Sequence, residues 1–141
     1  MGCNNILRLG SGNFDENGAR WDGHKYICGD DFNDQGEHPC LVYTFGVGKE
    51  SSFEEAMAAG GKPEAENDDQ ELNCISTCSG CEVYAHDHTI KVPHTKYTNL
   101  HYVNTGMGSS NIKTEQGMVK TLDTLLKDNG HSERIINYLK V

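Results

Sequence analysis

The sequence contains no apolar run near the roughly 18 residues that a membrane-spanning helix needs, so no such span is expected. Its opening, "MGCNNILRLG", lacks the apolar core of a signal peptide, and its sixth residue is Ile6 rather than the Ser or Thr of a myristoylation signal. Basic residues are few and scattered. Twelve Lys and Arg stand against 21 Asp and Glu, for a net charge of −9, which withholds the electrostatic footprint that a phosphate backbone demands. Nucleic acid is therefore not an expected partner. There is no Asn-x-Ser/Thr sequon, so glycosylation says nothing about compartment. No Ser or Cys sits in a nucleophile elbow, which leaves His94 and His101 as ordinary loop and strand residues. The acidic run Glu64 to Glu71 lacks the ligand spacing of a calcium loop and reads as solvated surface.

What remains fits one globular domain of 141 residues. Six cysteines (Cys3, Cys28, Cys40, Cys74, Cys78, Cys81) make an even number, high for a cytosolic domain, and point toward the secretory pathway or the cell exterior. Cys74, Cys78 and Cys81, with His86 and His88 close behind, offer zinc-type ligands. Their spacing is not that of a common finger, and disulfides or buried thiols are the preferred reading, so no metal ligand is assigned. A bridge from Cys28, Cys40 or Cys3 that staples an N-terminal arm to a sheet is expected, with its connectivity open.

The chain divides into a loop-rich arm over residues 1–39, with one strand at Lys25 to Cys28, and an α/β region over residues 40–141. Trp21 and Tyr26 either pack the arm against the sheet or border an acceptor pocket. In "LVYTFGVGKESSFEEAM" the β-branched and aromatic residues Leu41 to Phe45 predict a buried strand, and Gly46 and Gly48 turn the chain. Ser52 and Glu55 have capping-box spacing, and Phe53, Ala56 and Met57 form one apolar helix face. Residues 62–79, with Pro63 and an acidic run, read as a surface insertion. "CEVYA" and "LHYVN" predict further strands, with a glycine-bearing turn after Asn104. Met118, Leu122, Leu125 and Leu126 predict an amphipathic helix ending at Gly130, and "RIINYLKV" a last strand. Alternating strands and helices imply a Rossmann-like, doubly wound parallel sheet, whose ligands bind beyond the carboxyl ends of the strands.

At that position Gly46 and Gly48 permit close approach of main chain to a ligand, and an acid at the next strand tip suits ribose hydroxyls. Asp87 meets the second condition. It lies 41 positions after Gly46, or 23 once the 18-residue insertion is set aside, near the usual ~20. A pyrophosphate-binding G-x-G-x-x-G would place glycine where Ser51 stands, so a ligand without phosphates is favoured.

Four segments in register, "CLVYTFGVGKESSFEEAMAAGG", "GCEVYAHD", "LHYVNTGMG" and "TLDTLLKDNGHSERIINYLKV", resemble the animal methyltransferase-like domain family, and more distantly the FkbM-type methyltransferases. Upstream, "WDGHKYICGDDF" is similar to that family's entry segment, with His24 in place of a usual glycine. The resemblance implies a class I methyltransferase that depends on S-adenosylmethionine (SAM). It places Phe45, Gly46, Val47 and Gly48 beneath the methionine and ribose, Asp87 on the ribose hydroxyls, and Asn104, Thr105 and Gly106 against the adenine. Glu50 replaces the third glycine of the family's motif and His86 its usual Phe. The family pattern continues past "LKV" with a further acid and later strands, so the resemblance implies a cofactor-binding half whose C-terminal half is missing. Turnover by these residues alone is not expected, because methyl transfer needs donor and acceptor held in line. No catalytic residue or methyl acceptor is assigned. The competing reading is a noncatalytic α/β binding module stabilised by disulfides or zinc.

Overall fold

The structure, a computed structural model, describes residues 2–4, 6–10, 25–32, 38–48, 51–60, 80–89, 91 and 95–141. The predicted insertion, Cys74, Cys78, Trp21, His24, Glu50 and His94 lie outside these residues.

Three sheets form. Strands β1 (Ile6–Leu9) and β2 (Lys25–Cys28) make an antiparallel pair, and β2 runs into a 3-10 turn at Gly29–Phe32. The principal sheet has β3 (Leu41–Phe45), β4 (Glu82–His86), β5 (Leu100–Val103) and β9 (Tyr138–Lys140) in the order β5-β4-β3-β9, every pair parallel. A small third sheet joins β6 (Thr105–Met107), β7 (Ile112–Thr114) and β8 (Gly117–Lys120) in the order β6-β8-β7. Helix α1 (Ser52–Ala58) follows β3, and α2 (Leu122–Asp128) precedes β9. The protein is thus a mixed α/β fold built on a parallel sheet.

Strand periodicity explains the two cores. On β3, Val42 faces Phe53 and Met57 of α1 together with Val83, Leu7, Leu9 and Ile27, whereas Leu41, Tyr43 and Phe45 face Leu125 of α2. Because both faces are covered, all five β3 residues are buried, which is why the strand reads as an unbroken apolar run.

Several local expectations need correction. Helix α1 is capped at Ser51, which makes no side-chain cap bond, so Ser52 is already helical and the Ser52–Glu55 capping box does not form. Met118 belongs to β8, not to a helix. The helix starts only after Thr121, whose hydroxyl accepts the Thr124 N–H, and its end is as expected, with Gly130 at φ 75°. The turn expected after Asn104 continues as β6. In the arm, the structure adds strand β1 to the expected β2, and Tyr26 is 64% exposed rather than packed on the sheet.

Disulfides join Cys3 to Cys28 and Cys40 to Cys81. The first stays within the arm and the second joins the residues just before β3 and β4, so neither staples arm to sheet. With Cys81 oxidised, the sequence's candidate zinc cluster loses a thiolate. Cys3, Cys28 and Asp30 also lie close together, but two of them form a disulfide and Asp30 accepts the Asn4 N–H. Both bridges fit an oxidising environment. No helix among the described residues is long and apolar enough to cross a membrane.

Candidate functional site

The chain leaves β3 toward α1 on one side and meets β9 on the other, so the strand order reverses between β3 and β9. In a parallel sheet that reversal opens a crevice at the carboxyl ends. Phe45 to Gly48 form its edge. The side chains of Phe45 and Val47 turn inward, to opposite cores, and are 8% and 5% exposed. Gly46 and Gly48 are exposed, with φ of 73° and 65° and nothing within 4 Å of where a Cβ would stand. Positive φ favours glycine here, and its bare backbone faces open space.

The turn is tied to the neighbouring strand tip. The Gly46 N–H donates to the His86 carbonyl at 3.0 Å, and the Gly48 N–H donates to Asp87 Oδ2 at 3.0 Å. The other oxygen, Oδ1, accepts from the Thr89 N–H at 2.8 Å and the Thr89 hydroxyl at 2.6 Å. The Asp87 N–H in turn donates to the Val103 carbonyl, joining the tip of β5. Burial alone would raise the Asp87 carboxyl. The bonds from Thr89 and Gly48, and His88 nearby, outweigh it and hold the group below its ordinary value, so it is an anion at neutral pH.

Asn104, Thr105 and Gly106 sit beyond β5, but Gly106 does not present an open face. A Cβ there would stand 2.4 Å from His88 Nδ1, so the imidazole lies directly on the glycine, and Gly117 lies close to the same residue. The structure therefore brings Gly46, Gly48 and Asp87 together and inserts His88 beside Gly106. Sequence reasoning weighed His88 only as a metal ligand. The available signal was its place next to the acid.

Behind Asp87 lies a buried polar network. Asn129 Nδ2 donates to the Tyr43 hydroxyl at 3.0 Å and faces His86 Nε2 at 3.3 Å, and the Tyr43 hydroxyl meets His131 Nδ1 at 2.7 Å. One proton arrangement satisfies every contact. His86 Nε2 accepts from Asn129, its Nδ1–H donates to the Thr44 carbonyl at 3.3 Å, and Tyr43 donates to His131. His86 must then be neutral. Burial pushes its pKa down to about 4 against the bonds to the Thr44 and Tyr84 backbone, and burial likewise lowers His131, near Glu82, Arg134 and His101. His101 itself stacks on Tyr84 at 4.5 Å.

A pH dependence follows. Between about 4 and 6.5 the unfolded chain takes up a proton that folded His86 refuses, so stability is full above 6.5 and is lost as pH falls toward 4. The expected loss is about 3 kcal/mol at the low end. Asp87 acts in a separate window, below its ordinary 3.8. Urea midpoints taken from pH 7.5 to 4.5 measure the slope. His86→Phe is expected to remove most of it and leave a remainder from His131, and an unchanged slope in that variant would contradict the assignment.

Compared with family models, with curated proteins and with solved structures, the chain finds no match.

Proposed function

We propose that this chain binds SAM as the cofactor-binding part of a class I methyltransferase. The observation that carries the reading is the hydrogen bond from the Gly48 amide to Asp87 across the tips of two parallel strands, beside the sheet's reversal point. It pairs a bare glycine turn with a carboxylate ionised at neutral pH, the two features that a nucleoside ligand needs. Gly46 and Gly48 would let the cofactor lie on main chain, and Asp87 would accept from its ribose hydroxyls. Of the carboxylate's lone pairs, one on Oδ2 remains after Gly48 and Thr89 are counted, so a second ribose hydroxyl would replace Thr89. Asn104 and Thr105 would border the base, with His88 beside them. SAM, when bound, supplies an electrophilic methyl group on a sulfonium. The described residues orient that donor and exclude water from one side of it. We place the protein in the secretory pathway or outside the cell, in keeping with the Cys3–Cys28 and Cys40–Cys81 disulfides.

Titration calorimetry with SAM tests the reading. Wild type is expected to bind. Asp87→Ala is expected to bind at least tenfold more weakly, as loss of a hydrogen bond to a charged group implies, while its circular dichroism stays that of wild type. If wild type releases no heat with SAM, the reading is wrong. The second reading, a noncatalytic binding module, draws on the disulfides and on an Asp87 already bonded within the chain, and it expects no SAM binding to lose.

A further inference from the structure

The residue that ties the network behind β3 together is followed by glycine. Asn129 ends α2, its N–H donating to the Leu125 carbonyl, and Gly130 turns the chain at φ 75°, exposed and with nothing within 4 Å of where a Cβ would stand. Asparagine before glycine is prone to deamidation, because no side chain hinders the approach of the glycine nitrogen to the amide carbon. In that reaction the Gly130 nitrogen gives its proton to solvent and bonds to Asn129 Cγ, the Cγ–Nδ2 bond breaks and ammonia leaves. Water then opens the cyclic imide to Asp or isoAsp. Both reacting groups are held in the folded chain. Asn129 Nδ2 donates to the Tyr43 hydroxyl and lies 3.3 Å from His86 Nε2, and the Gly130 N–H donates to the Lys127 carbonyl at 3.1 Å. Ring closure therefore waits on opening of this turn, and an exposed helix end opens at far less cost than the whole fold.

The network decides what the product does. An amide nitrogen brings two donors to this position, and a carboxylate oxygen in its place only accepts. Facing it, the Tyr43 hydroxyl must turn its proton from His131 to residue 129, so His131 Nδ1 must carry a proton and donate to Tyr43 in return, across the 2.7 Å contact. His86 must bring a proton to Nε2 while its Nδ1–H stays on the Thr44 carbonyl, and it becomes an imidazolium paired with the new carboxylate. We propose that Asn129 is a deamidation site, reached when its turn opens, whose Asp product reverses each hydrogen bond from His131 through Tyr43 and residue 129 to His86, and charges His86. The titratable groups that face His86 are Tyr43 from β3 and His131 from beyond α2; Phe45 stacks on its ring at 4.7 Å, and Glu82, Arg134 and His101 lie about His131.

Peptide mapping by mass spectrometry of the whole chain, incubated at pH 7.5 both folded and in urea, tests the site, because the peptide from Asp128 to Arg134 contains no other asparagine. The product is expected in both, roughly tenfold or more slowly in the folded chain, as release of the two hydrogen bonds implies. Product in urea alone, or in neither, overturns the site, and equal rates in both overturn its control by the turn. Asn129→Asp reproduces the Asp product. A His86 pKa raised in the fold by the carboxylate gives stability that is full below the unfolded value of 6.5 and is lost as pH rises through the folded one, so urea midpoints should fall from pH 5 to 7.5, opposite to wild type. If this variant is unfolded at pH 7.5, its refolding on acidification reads the same reversal. A slope of the wild-type sign, or no refolding at pH 5, overturns the assigned effect on His86.

Discussion

Lys140→Met is expected to lower the stability of the fold by about 3–5 kcal/mol, the usual result of removing one partner from a buried ion pair. Glu54 has no side-chain surface of its own in water, and Lys140 Nζ is the donor that meets its Oε1. Without that ammonium the carboxylate stays in the interior with neither oxygen satisfied. Methionine nearly conserves the volume of the lysine stem, so packing contributes little to the loss. The effect is large because whole domains are stable by only about 5–15 kcal/mol. A second substitution separates this cause from simple damage to β9. Glu54→Met added to Lys140→Met should recover most of the loss, since well-packed apolar residues commonly replace a buried pair without harm. Denaturant midpoints of the three proteins, compared at constant slope, provide the measurement. A single variant within ~1 kcal/mol of wild type, or a double variant as weak as the single one, would refute the account.

The second large effect concerns Cys40 and Cys81. Their bridge closes a loop across a sequence separation of 41, and its Cα atoms lie 4.7 Å apart where β3 and β4 begin side by side. Chain-entropy arguments give about 4 kcal/mol for a loop of that size, the cross-link acting mainly by restricting the unfolded chain. Both residues are fully buried, so Ala at each position adds the loss of apolar contact. Cys40→Ala with Cys81→Ala, or full reduction of the wild type, should therefore shift the unfolding midpoint far more than any surface change. Equal midpoints with and without reductant would show that the bridge contributes nothing.

How far the sequence disclosed this structure depends on the distance over which each feature is determined. Strand β3 runs over the residues its β-branched and aromatic run indicated, and β2 over those expected from Lys25 to Cys28, because local composition decides both. The parallel arrangement followed from strands alternating with helices. By contrast, Met118 fits a helical spacing with Leu122, Leu125 and Leu126, yet Gly117 at φ 144° and the cap at Thr121 break that pattern and send Met118 into a hairpin with β7. Strand β1 is made by its antiparallel pairing with β2, some twenty residues on, which its own Ile-Leu-Arg-Leu run does not disclose. Cysteine pairing was open in principle, since spacing does not fix connectivity. Glu54 and Lys140 are separated by 86 positions, and Tyr43 and His131 by 88, so nothing local brings either pair together. Gly46, Gly48 and Asp87 were legible because glycine after a strand and an acid at the next strand tip each have a local chemical reason.

The Cys40–Cys81 bond sits at the origins of β3 and β4, whereas the glycine turn and Asp87 sit at their far ends. At about 3.3 Å of rise per residue, the six steps from Cys81 to Asp87 put roughly 20 Å between the two. Strands β3 and β4 are thus tied covalently at one end and by hydrogen bonds alone along their length to the other. Parting them at the Gly48–Asp87 end, where the proposed ligand would lie, breaks only hydrogen bonds and leaves the sulfur link untouched.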